Sequence, residues 1–147
     1  MATELITNPP IIFCDEPTTG LDSFLAEIVV ESLSKLAENG TVVLCTIHQP
    51  SSKTFSLFTD LLLLAHGEIA YMGNRTGAAS FFEFIEAPVP KNFNPCDHYL
   101  RHIAVVPESE DASYERIRKT CETFRHYSKS LAQEQPCRIS KGLQLFR

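Results

Sequence analysis

Asp15 and Glu16 stand side by side at the end of a short apolar run, Ile11 to Cys14, within the stretch IIFCDEPTTGLDS. His48 follows 33 positions after Asp15, at the end of a second apolar run. These residue types suit phosphoryl transfer. An aspartate at a strand tip can hold Mg²⁺, mostly through water, because Mg²⁺ prefers oxygen ligands and keeps several of its waters. A neighbouring glutamate can polarise an attacking water, and a histidine can hydrogen-bond a terminal phosphate oxygen. Phosphoryl transfer needs mainly positioning and charge stabilisation, and these groups supply part of both. Taken singly, each has a plain alternative: two solvated charges after a strand, and a histidine satisfied by its surroundings. On the residue types alone, those plain readings come first.

The elements that must position these groups can be read from the pattern. Ile11–Cys14 is a continuous apolar run of the kind found in a strand buried on both faces. Leu25, Ile28, Val29, Leu33 and Leu36 recur at helical spacing, so Phe24–Asn39 is expected to be a helix, capped by Asp22 or Ser23 and stopped by Asn39-Gly40. Thr41–Ile47 is β-branched and apolar, a second strand. Strand, helix, strand is a βαβ unit with parallel strands. It returns the chain to the same sheet edge, where ligands of open parallel sheets bind. Asp15, Glu16 and His48 are therefore expected to converge.

Further on, a short helix is expected over Ser51–Phe58 and a hairpin over Leu61–Leu64 and Glu68–Tyr71 around His66-Gly67. Helices follow over Gly77–Ile85, from Asn94-Pro95 to about Val105, and from Ser113 to Gln133, with Pro107–Asp111 as an acidic linker. On the last helix Tyr114, Ile117, Cys121, Phe124 and Leu131 mark the apolar side. Two placements stay open for it: a linker near a membrane, or a helix docked on the core. The residues from Pro136 onward carry no clear signal.

Length and composition bound the classes. The 147 residues suit about one domain, and 44% hydrophobic with 21% charged residues is ordinary for a globular chain. The net charge of −5 gives nucleic-acid binding little support. The longest purely apolar run, Leu61–Ala65, is far short of the roughly 20 residues that a membrane span needs. Met1–Glu4 has neither the basic nor the apolar region of a signal peptide. Five cysteines, with no C-x-x-C pair, are read as reduced thiols. Asn74-Arg75-Thr76 is read as an unused surface turn. His98 and His102 lie four apart beside Asp97, a spacing that can bind metal, but without a third ligand in the local pattern packing is the default.

The motifs carry a resemblance. IIFCDEPTTGLDS resembles the Walker B strand, catalytic glutamate and D-loop of an ABC-transporter ATPase, and TIHQPSS resembles its switch-histidine loop. An Asp-Glu pair also occurs in helicases, but Pro17-Thr18-Thr19 does not follow it there. With GEIAYMG and NFNPCDHYL added, the chain is similar to the G subfamily, the white-type half-transporters. The resemblance implies an α/β fold: an incomplete P-loop NTPase-type parallel sheet with flanking helices, then a helical linker segment. It implies that residues 1–88 are the C-terminal half of the ATPase domain, 89–135 a linker towards a transmembrane domain, and 136–147 an unassigned tail. It implies catalytic roles for Glu16 and His48, Mg²⁺ held through water by Asp15, and ATP contacts from Asp15, Gln49 and Asp22, with Thr19–Asp22 reaching across a dimer of ATPase domains. The partner would be a second half-transporter, the location the cytosolic face of a membrane, and the cargo pigment precursors or other small hydrophobic molecules.

Departures from the family qualify this expectation. No G-x-x-x-x-G-K-[ST] phosphate loop and no Ser-Gly-Gly signature loop occur in the sequence. The chain is thus expected to be part of an ATPase domain, inactive alone, with apolar surface exposed and a tendency to aggregate. A short non-catalytic module that pairs with an intact half-transporter is the alternative. A soluble ABC ATPase without a transport role fits less well, because NFNPCDHYL and the linker resemble the transporter arrangement.

Overall fold

In the computed structural model, residues 9–134 and 143–146 are described. Strand β1 (Ile11–Asp15) leads to helix α1 (Ser23–Glu38) and strand β2 (Val42–Thr46). β1 and β2 are parallel and in register from Ile11↔Val42 to Asp15↔Thr46, as a βαβ unit requires. The helix starts where Asp22 Oδ1 accepts the amides of Phe24 and Leu25, both at 2.9 Å. It ends at Asn39, and Gly40 follows at φ +102°, a left-handed conformation open to glycine at little cost.

A one-and-a-half-turn helix, α2 (Ser52–Ser56), is capped by Ser51. β3 (Asp60–Ala65) and β4 (Glu68–Asn74) form the expected antiparallel hairpin. Its two-residue turn has His66 at φ +49° and Gly67 at φ +79°, the geometry that matches strand twist. Asn74 is the N-cap of α3 (Arg75–Phe84), its Oδ1 accepting both Thr76 N and Thr76 Oγ1. The sequon asparagine is therefore a helix cap, and the helix begins two residues before the expected Gly77. α4 (Pro95–His102) opens on the Asn94 cap with Pro95 in its first turn. It stops short of Val105 because Arg116 reaches over to bind the carbonyls of His102 and Ala104, at 2.7 and 2.8 Å. The acidic stretch expected as a linker forms a 3₁₀ turn (Pro107–Ser109) and the first turn of α5 (Glu110–Glu134). Glu110 and Asp111 suit the positive end of the helix dipole.

The sheet order is β1-β2-β5-β3-β4, with β4 the antiparallel edge. β5 (Leu143–Phe146) falls in the tail that the sequence left unassigned, and it runs parallel to both β2 and β3. One face of the sheet carries Cys14, Val43, Cys45, Leu61 and Leu63, all buried under the helices. α4 and α5 belong to that same core through Cys96, Tyr99, Ile117, Cys121 and Phe124. Of the two placements left open for the last helix, it adopts the docked one, lying on β4. Phe81, fully buried, meets Tyr71, Phe124 and Tyr127 with ring centroids 5.3 to 5.6 Å apart. The opposite sheet face is open: Ile11 is 49%, Phe13 77% and Met72 48% exposed.

Candidate functional site at the carboxyl edge of β1 and β2

The β1–β2 register decides the geometry. Asp15 sits opposite Thr46, and the Thr46 hydroxyl donates to Asp15 Oδ1 at 2.5 Å. The same hydroxyl oxygen accepts the Glu16 amide at 2.8 Å. One side chain thus fixes both carboxylate residues to the neighbouring strand. Thr46 was given no role in the sequence reading, although it opens the TIHQPSS motif; its signal is a hydroxyl at the strand end, two positions before His48.

Glu16 takes φ +43° and Gln49 φ +46°. Left-handed backbone at non-glycine residues costs about 1–3 kcal/mol each and tends to gather at functional sites. Three bonds hold Glu16 in that geometry: its amide to Thr46, its carbonyl accepting Thr19 N at 3.1 Å, and its Oε2 accepting Thr19 Oγ1 at 2.9 Å. The turn that follows brings Thr18 and Leu21 against His48, Gln49 and Pro50, and together they line a cleft of about 130 Å³. Asp15, Glu16, His48 and Gln49 are all exposed. Asp22, expected at a nucleotide, has Oδ1 committed to capping α1.

Behind the histidine loop, Asn94 Nδ2 donates to the Pro50 carbonyl at 2.9 Å while Asn94 Oδ1 caps α4. Gln49, Pro50 and Ser51 face a second cleft of about 380 Å³ with Asn94, Asp97 and Arg101 on its far side. His98 and His102, the spaced pair, have separate partners: His98 Nε2 lies 2.9 Å from the Ala87 carbonyl and His102 Nε2 3.1 Å from Thr120 Oγ1. They act in packing. The thiols of Cys14, Cys45, Cys96 and Cys121 are free and buried. Burial, then the neighbouring Cys14, pushes the Cys45 thiol up to about 12, so it is an inert core group.

Among the described residues, no cluster of three or more His, Cys, Asp and Glu side chains could hold a metal ion. Mg²⁺ needs no such cage: one or two carboxylates with water and substrate phosphates suffice. The exposed Asp15 carboxylate, oriented by Thr46, fits that mode.

Residues 48–124 match the family model of ABC-2 type transporters, just over half of the chain. The chain belongs to the ABC-2 type transporter family. Over 123 residues this ABC-2 chain is 49% identical to Protein white of Drosophila melanogaster, 46% to Protein scarlet of the same fly and 45% to the ABC transporter ATP-binding protein/permease wht-1 of Caenorhabditis elegans. Each alignment covers 84% of this chain and 18% of the relative, so the ABC-2 chain spans less than a fifth of the curated relatives' length. These relatives support the G subfamily that the motifs suggested. The matched model represents the membrane-domain region of such transporters and begins at His48, leaving Asp15 and Glu16 outside. It shows the transporter family without showing an ATP-binding domain. Among the described residues, no helix is long and apolar enough to cross a membrane.

Proposed function

We propose that the chain supplies the nucleotide-facing sheet edge of a white-type ABC half-transporter, as an incomplete P-loop NTPase-type unit. The observation that carries this reading is the Thr46 bridge, which ties Asp15 and Glu16 to the strand that continues into His48. The name of the nematode relative, an ATP-binding protein/permease, supports it.

In this reading Asp15 would hold a nucleotide-bound Mg²⁺ through water. Mg²⁺ bound with ATP would offset the charge of the phosphate oxygens. Glu16, with Oε2 anchored by Thr19, accepts a proton from the attacking water. His48 donates to a γ-phosphate oxygen, and Gln49 holds the loop beside it. Asp22 sets the start of α1, and through it the Thr19–Asp22 turn that would face a second half-transporter. The sheet edge lies at the cytosolic face, and the cargo is a small hydrophobic molecule such as a pigment precursor. The isolated chain, without a phosphate loop, does not hydrolyse ATP. In a membrane-embedded transporter containing this chain, Glu16→Gln should lower ATP turnover by about 10²-fold or more while nucleotide binding persists. Unchanged turnover would remove Glu16 from the chemistry.

A second reading, a non-catalytic module that pairs with an intact half-transporter, is favoured by the exposed Phe13 and Phe24, 77% and 72% accessible. Co-purification of the chain with a half-transporter, undiminished by Glu16→Gln and lost with Phe24→Glu, would select it.

A further inference from the structure

Ala112, Glu115, Arg116, Lys119, Thr120 and Thr123 recur along α5 at spacings of three and four, so they share one side of the helix. Together with Phe84–Glu86 at the end of α3 and His102 at the end of α4, they line a cleft of about 620 Å³. The helix rises about 16 Å from Ala112 to Thr123, so the cleft is elongated. It has no residue in common with the two clefts at the carboxyl edge of the sheet. Its volume falls in the range of small-molecule sites.

The two ends differ in character. Phe84 packs on Tyr127, ring centroids 5.5 Å apart, one helical turn beyond Thr123. That end is apolar. Towards the other end Arg116 spends Nε and one Nη2 proton on the carbonyls of His102 and Ala104. Carbonyl oxygens do not neutralise a guanidinium, and its Nη1 has no partner among the described residues. Lys119, one turn along, forms no ion pair among the described residues. Of the two carboxylates in the lining, Glu115 is taken by Arg118 at 2.8 Å, and Glu86 offsets one of the two positive charges. The cleft is left net positive.

His102 adds no charge. The Thr120 hydroxyl donates to the Arg116 carbonyl at 2.9 Å, so His102 Nε2 is the donor across its 3.1 Å contact with Thr120 Oγ1. The ring is neutral at neutral pH because burial first, then Arg116 and His98, lower its pKa to about 4. The positive charge in the lining is therefore that of Arg116 and Lys119.

We propose that this cleft binds a small amphipathic anion, a carboxylate on a flat apolar body. The carboxylate lies at Lys119 and Arg116, where charge-assisted hydrogen bonds are the strong ones, and the body lies against Phe84 and Ile85.

The test titrates the full chain calorimetrically with naphthalene-2-carboxylate and, separately, with naphthalene-2-carboxamide, which has the same shape and no charge. The acid is expected to bind about tenfold or more tightly than the amide. Lys119→Glu, at an exposed position, is expected to weaken the acid by about tenfold or more and to leave the amide unchanged. Phe84→Ser, also at an exposed position, is expected to weaken both. Phe13→Glu, on the open sheet face, is expected to change neither. Absence of saturable binding of the acid would overturn the proposal. Equal binding of acid and amide would remove the anion site. Acid binding that survives Lys119→Glu, or that is lost in Phe13→Glu, would place the ligand elsewhere on the molecule and overturn it as well.

Discussion

At the scale of the residue, Thr46 ties together the two carboxylate residues, a role that the TIHQPSS motif containing it did not signal. Its hydroxyl donates to a carboxylate and accepts an amide, so Thr46→Val removes two bonds while keeping the shape. A loss of about 1–2 kcal/mol in urea unfolding is expected, with exchange of the Glu16 amide accelerated. Both bonds are solvent-accessible, so water can replace them and the cost stays at the low end. His102 answers to different physics. Burial first, then the charge of Arg116 and the nearby His98, lower its pKa from 6.5 to about 4. Because the folded value lies below the unfolded one, the unfolded chain binds the proton more readily. The contribution to stability is complete above about pH 6.5 and is lost as the pH falls towards 4. His102→Gln is therefore expected to unfold with a shallower pH dependence between 6.5 and 4 than the unmodified chain. Parallel slopes would show that the imidazole carries no such linkage.

At the scale of the element, capping explains most boundaries. Asp22, Ser51, Asn74 and Asn94 each accept an amide from the turn that they open. Asn94 does more than cap, since its amide group also holds the Pro50 carbonyl 44 residues away in sequence. Asn94→Ala is expected to cost about 1–2 kcal/mol and to loosen the His48–Ser51 loop as well as α4, visible as faster exchange in both. Loosening confined to α4 would show that the Pro50 bond adds nothing. The helix ends that pattern reading misplaced, Val105 and Ser113, were set by contacts between elements. Arg116 terminates α4 from another helix, and Ser113 Oγ accepts the Val106 amide to hold the turn between them.

At the scale of the molecule, the described helices cover one face of the sheet, and Ile11, Phe13 and Met72 on the other are exposed. Largely parallel sheets are normally covered on both faces, and apolar side chains left exposed on one of them favour association. The chain is therefore expected to self-associate with rising concentration, and Phe13→Glu to shift sedimentation towards monomer without lowering helix content. Equal sedimentation of the two would remove this face from the association.

The sequence by itself determined the local features: the βαβ unit, the hairpin with its His66-Gly67 turn, the Asp22 and Asn94 caps, and the transporter family through motifs of short span. Each depends on residues near one another in the chain, where periodicity and capping chemistry are explicit. That Asp15 and the residues just before His48 share one sheet edge was legible because a parallel crossover returns the chain to that edge. Only the tertiary structure decided that Thr46 joins the two carboxylate residues, that Asn94 holds Pro50, that α5 docks on β4, and that the tail enters the middle of the sheet. The physical reason is the same in each case. These contacts link positions 30 to 99 residues apart, and no single-chain pattern encodes which strand edge lies beside which.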